Sequence, residues 1–149
     1  MIRNYVLLTF ILIGLFFHSN QTQAHGSKKF EQVTVIIGSK KVKLDYANTA
    51  ALRTFGLGHK KVICDDCGML FEFEQSGITS LETKEIFLPL DVAFIREDGE
   101  IMRIAQMEPF DAEGESSVTP VLYAVEMNKG WFAAQGIKVG DKIRITSSK

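Results

Sequence analysis

The chain has 149 residues, with 17 Lys and Arg against 18 Asp and Glu, a formal net charge of −1, and 46% hydrophobic residues. Near-neutral charge with the two signs interspersed leaves no basic footprint for nucleic acid or for an anionic membrane surface. Two cysteines and three histidines confine any thiol or metal chemistry to a few positions.

The first two dozen residues read as a secretory signal. Arg3 supplies a positive n-region, "VLLTFILIGLFF" (Val6 to Phe17) an apolar core, and Ala24 with Thr22 a small-residue cleavage pattern. The apolar run is shorter than the roughly 20 residues that span a bilayer. No cysteine lies near its end to carry a lipid. The expectation is a signal over residues 1–24 and one β-rich domain over 25–149. That domain would be exported, periplasmic or secreted, with no stable membrane span after cleavage.

"QVTVII" and "KVKLDY" flank "GSK". Two alternating, β-branched runs around a Gly-Ser turn predict a hairpin. "ANTAALRTFGLG" predicts a short helix, with Asn48 as its N-cap and Gly56 or Gly58 to end it. "GMLFEFE" alternates as a strand. "IFLPLDVAFI" is a longer apolar run broken by Pro89, which argues for an edge position or a bulge. "EDGE" is a turn and "IMRIAQM" the returning strand. "EPFDAEGESS" reads as an acidic surface loop, Glu82 and Glu85, three apart near Asp91, as a solvated loop rather than an acid–base pair, and Ser116 and Ser117 as serines without a hydrolase elbow. "PVLYAVEM" is a strand with Leu122, Ala124 and Glu126 on one face. "NKGWFAAQG" is a second short helix in which Trp131 anchors the core or its rim, and "IKVGDKIRI" closes the chain as a turn and strand. The sum is an α+β, mostly β, compact single domain of about seven strands, barrel- or sandwich-like, with two short helices.

Order and wording of these segments matter together. The pieces "CGMLFEF", "LPLDVAFIREDGEI" and "GIKVGDKI", spread over residues 33–145, resemble the small proteins grouped as domain of unknown function 192. The resemblance implies one compact β-rich domain, often exported, with no established activity. The chain departs from the family pattern just before "PLD". Members carry a Phe-Trp-Met-Lys-Asn-Thr stretch where this chain has "LETKEI" (Leu81 to Ile86), so only Lys84 is kept. The Met and Arg that follow the helix-ending Gly-Leu in members are replaced by "GLGHKK". The polar positions retained are Lys84, Asp91, Tyr123 and Glu126, and these are the candidate ligand-binding residues. A plain surface ion pair between Lys84 and Asp91 is the competing reading.

"VICDDCGMLFEF" holds both cysteines, Cys64 and Cys67, as a C-x-x-C pair. Redox catalysis needs a thiolate favoured by positive charge or a helix N-terminus. Here Asp65 and Asp66 intervene and a strand follows. A zinc or copper site needs further ligands. His59 and His25 are available, the latter with a free α-amine if cleavage follows Ala24. A local disulfide needs only the oxidising compartment and an even cysteine count, and the residues favour it. No G-x-S-x-G elbow or phosphate loop is present, so neither a catalytic set nor a cofactor motif is assembled. The expected function is therefore a non-enzymatic domain binding a small molecule or an envelope protein. The alternative is a metal-binding or thiol-redox accessory protein using His25, His59, Cys64 and Cys67.

Overall fold

A computed structural model describes residues 29–58 and 60–146. The expected signal over 1–24 lies outside the described residues, as do His25 and His59.

The predicted hairpin forms from β1 (Glu31–Ile37) and β2 (Lys40–Ala47), paired antiparallel with Val35 opposite Val42. Alternation puts Val33, Val35 and Ile37 of β1 and Val42 and Leu44 of β2 into the core. Helix α1 (Ala50–Phe55) follows. Its N-cap is Thr49 rather than Asn48: Thr49 has the extended backbone of a cap, and its hydroxyl accepts the Leu52 N–H. Gly56, at φ 46°, ends the helix as expected. The helix lets the chain return, so that β3 (Gly68–Gly77) runs parallel to β2.

The remaining strands are β4 (Ser80–Leu81), β5 (Leu90–Ile95), β6 (Ile101–Met107), β7 (Glu115–Ser116), β8 (Val121–Asn128) and β9 (Ile143–Thr146). A second short helix, α2 (Trp131–Ala134), precedes β9, and Trp131 and Phe132 are buried there. Seven strands form one sheet in the order β6-β5-β8-β3-β2-β1-β9, and β4 pairs separately with β7. The sheet curls into a half-barrel whose edge strands are stitched at one end. Ile101 N–H donates to the Asp141 carbonyl at 2.9 Å and Ile143 N–H to the Gly99 carbonyl at 2.8 Å. Gly99 suits this seam because its φ is 87° and a Cβ would stand 2.5 Å from the Ile143 oxygen.

Two apolar clusters lie on the two faces of the sheet. Leu70, Ala93, Ile95, Val125 and Met127 belong to the first, which is closed by Trp131 and Phe132. Met69, Phe71, Val92, Phe94 and Ala124 belong to the second, closed by Leu57, Ile86 and Leu88. Because β5 sits between β6 and β8, every one of its residues is buried. This corrects the edge expected from Pro89. The proline precedes the strand, where its missing N–H costs no ladder bond, and its carbonyl accepts from Lys129 N–H at 3.1 Å. The register shift in β5 falls instead between Phe94 and Ile95.

The acidic loop is less loose than its composition suggests. Thr83, fully buried, donates its hydroxyl to the Glu108 carbonyl and its N–H to Asp111 O at 2.9 Å. Phe110 N–H returns to Thr83 O at 3.0 Å. With the β4–β7 pair, these bonds hold residues 80–86 as a fixed wall above the second cluster.

Candidate functional site

Strand alternation decides where Glu126 points. On β8, Val125 and Met127 face the first cluster while Ala124 faces the second, so Glu126 shares the side of Ala124. Its ladder partners are Met69 on β3 and Val92 on β5, both fully buried and apolar. The carboxyl therefore enters a cleft of about 390 Å³ between the end of α1, β3 and the wall formed by residues 80–86. Phe55, Phe71 and Ile86 supply apolar lining, and Arg53, Lys84 and Glu126 supply charge.

Glu126 is 1% exposed, and its Oε2 has no hydrogen-bond partner. Burial without a compensating cation pushes its pKa from 4.5 up to about 8. Arg53, by contrast, is committed. Its guanidinium donates to the Glu72 carbonyl at 2.8 Å and pairs with Glu74 at 3.1 Å, with the Phe73 ring 5.9 Å away. Lys84 is exposed and forms no ion pair among the described residues.

The four residues expected to share a surface are divided by the sheet. Lys84 and Glu126 meet at the cleft. Asp91 lies between Leu90 and Val92, which face the second cluster, so it points to the opposite side. There it is 2% exposed and accepts the Gly130 N–H at 2.9 Å, next to the start of α2. The surface ion pair between Lys84 and Asp91 is not formed, because Asp91 is not on the surface. Tyr123 packs against the first cluster and borders a separate depression with Glu97, Asp98 and Ile143. Burial raises its pKa, helped by the charges of Glu72 and Glu97.

Sequence reading missed Arg53 and set Glu82 and Glu85 aside as a solvated loop, yet all three line the same cleft as Glu126. The two glutamates stand in a loop whose position depends on Thr83. Nothing local marks Thr83 as buried, so the sequence offers no signal for that position. Composition alone reads such a stretch as solvated.

The cysteines form a disulfide, with Cα atoms 5.0 Å apart. Joined in this way, neither sulfur is a thiolate for metal binding or nucleophilic attack. Among the described residues no group of three or more His, Cys, Asp and Glu side chains could hold a metal ion. The disulfide loop is docked on the sheet end. Asn128 Nδ2 donates to Cys64 O, and Trp131 Nε1 donates to the Asp66 carboxylate, both at 2.9 Å. Closing so short a loop contributes about 2 kcal/mol on chain-entropy grounds. Reduction should thus lower unfolding stability by about that much and alter the emission of Trp131, the single tryptophan. Urea titrations of oxidised and thiol-treated protein, followed by fluorescence, check both effects. Identical curves would mean that the Asn128 and Trp131 bonds hold the loop unaided.

No helix among the described residues is long and apolar enough to cross a membrane. Comparison with known proteins places this geometry in a wider group. The chain is similar to a crystal structure from Sinorhizobium meliloti 1021, provisionally described as a transcription regulator. The two share 28% identity and a TM-score of 0.76 over 80% of this chain and 98% of that one. It is also similar to a protein of unknown function from Novosphingobium aromaticivorans DSM 12444. There the identity is 30% and the TM-score 0.69, over 77% of this chain and 84% of the other. No curated protein matches the chain. The family of uncharacterised conserved proteins described as domain of unknown function 192 (Uncharacterized ACR) matches residues 33–145. That match spans three quarters of the sequence and every strand of the half-barrel except the ends of β1 and β9, and the chain belongs to this family.

Proposed function

We propose that this protein is an exported, non-enzymatic binding domain that takes a small ligand into the cleft floored by Glu126. One observation carries the reading: Glu126 lines the cleft, its carboxyl is buried, and its Oε2 has no partner. Buried polar groups are nearly always hydrogen-bonded, because leaving one unmade costs about 1–3 kcal/mol. A group that bears this cost beside an open cleft is one that a ligand can satisfy. The volume falls within the range of small-molecule sites, roughly 300–1,000 Å³, which favours a small ligand over a protein partner. Apolar walls with a few convergent polar groups fit the same class.

Export rests on the leader pattern of Arg3, Val6 to Phe17 and Ala24. Two experiments test the proposal. Expression of the full chain in a Gram-negative host, with fractionation and intact-mass analysis, should give an envelope-side species beginning at His25. A full-length species in the cytoplasm would remove the export claim. Thermal-shift screening of the mature protein against a small-metabolite library should give stabilising compounds whose effect is lost in Glu126→Gln. If every hit stabilises both proteins equally, the cleft is not the site.

A further inference from the structure

Resting on that reading, the structure assigns a chemical class to the ligand. We propose that the cleft takes a small organic cation, an alkyl amine whose ammonium pairs with the Glu126 carboxylate and whose chain lies along Phe55, Phe71 and Ile86.

The groups that face Glu126 come from three directions. Its β3 and β5 neighbours, Met69 and Val92, contribute none. From α1 comes Arg53, whose positive charge is already offset by Glu74 and directed at the Glu72 carbonyl. From the wall come Glu82, Lys84 and Glu85, two carboxylates around one ammonium. Counting Glu126, three carboxyl groups share the cleft with one unpaired cation, so the uncompensated charge is negative when Glu126 is ionised. An anionic ligand would have to pass two rim carboxylates and meet a third carboxyl at the floor. For a cation the carboxylates outweigh the one unpaired ammonium of Lys84, and the Glu126 carboxyl at the floor supplies a counter-charge. The low-dielectric surroundings make that contact stronger than the same pair in water.

Chemistry and geometry agree on a monoamine-sized head with an apolar tail. Glu126 is the acidic residue at the buried end of the cleft, and Phe71, 2% exposed, stands on the neighbouring strand as an apolar wall. Binding is coupled to one proton. The neutral carboxyl of the empty cleft releases its proton to buffer as the ammonium arrives, and the ammonium keeps its own. With the Glu126 pKa at about 8, about 0.9 of a proton leaves per site at pH 7, and affinity rises roughly 50-fold from pH 6 to pH 8.

The test is isothermal titration of the mature protein with n-butylamine and putrescine, beside butyrate and glucose as anionic and neutral probes. Titration in phosphate and in Tris buffers, whose ionisation heats differ, reads proton release directly. The expected result is amine binding with near-stoichiometric proton release, the stated tightening with pH, and at least tenfold weaker binding in Glu126→Gln. The double variant E82Q/E85Q touches only exposed positions and should weaken amines severalfold while leaving the fold intact. Butyrate or glucose binding in a Glu126-dependent way while the amines fail would overturn the cation and leave the cleft as a ligand site. Amine binding without proton release would overturn the pairing with Glu126. Failure of all three probe classes would count against both the cation and the cleft.

Discussion

Glu126→Gln should hold its stability up to pH 8.5, whereas the native protein should lose stability steadily as pH rises above 5. The sign follows from proton binding. Unfolded, the side chain titrates near 4.5; folded, burial holds its pKa at about 8. Between those values the folded chain keeps a proton that the unfolded chain has released, so stability falls with rising pH. The protonated side chain's contribution is complete below the unfolded value and gone above the folded one. Each tenfold difference in proton affinity is worth about 1.4 kcal/mol, which makes the whole span on the order of 5 kcal/mol. Other perturbed carboxyls do not overlap this window. Asp98 is held low by its hydrogen bonds with Arg96 and Lys142, and Asp141 by the Lys138 N–H. Both therefore act below the usual carboxylate range. Urea denaturation of the two proteins at pH 5, 6.5 and 8.5 measures the difference. A decline that persists unchanged in the glutamine variant would assign it to other groups.

Gly68→Ala should be strongly damaging at the floor of the site. Gly68 opens β3 opposite Met127, directly after the disulfide loop. A Cβ there would collide with the Glu126 carbonyl oxygen and stand 2.5 Å from the Met127 sulfur. The methionine side chain can move aside. The carbonyl belongs to a central strand bonded on both sides, and moving it means shifting β8 relative to β3 or β5. Overpacking of this kind costs roughly 1–3 kcal/mol, and a backbone collision belongs at the upper end. Because the displaced residue is Glu126 itself, the variant should also disturb the cleft floor. Chemical denaturation should show a loss of about 3 kcal/mol, and amide spectra should shift along β8 around Val125 to Met127. A loss below about 0.5 kcal/mol, within the usual range for neutral surface changes, would show that β3 and β8 are not so closely held.

Much of the fold was legible because it is written in local chemistry. The hairpin over residues 31–47 follows from β-branched alternation around Gly38, and α1 ends at Gly56 because few other residues accept a positive φ. Trp131 was readable as an anchor, and it is buried where α2 closes the first cluster. Errors arose where a local rule had two outcomes. Pro89 forbids a central ladder position but not the position just before a central strand, and Asn48 and Thr49 are both competent caps. The local disulfide was favoured by cysteine count and spacing and is present.

The site was legible only in part, for a reason of geometry. Lys84, Asp91, Tyr123 and Glu126 were expected to share one surface, but a strand sends successive side chains to opposite faces. Glu126 and Asp91 lie on adjacent strands yet face different clusters, and only strand register shows this.

The sequence by itself determined the seven strands of the main sheet, the two short helices, the cysteine pair and the family, because each depends on residues close together in the chain, whereas the β4–β7 pair was not legible. Tertiary structure alone decided that Glu126 is buried without a partner, and that Arg53, Glu82 and Glu85 share its cleft. A carboxyl becomes an unsatisfied, nearly neutral group only when distant segments remove its water. Those segments are α1, β3 and the wall pinned by Thr83, and no local pattern encodes their meeting.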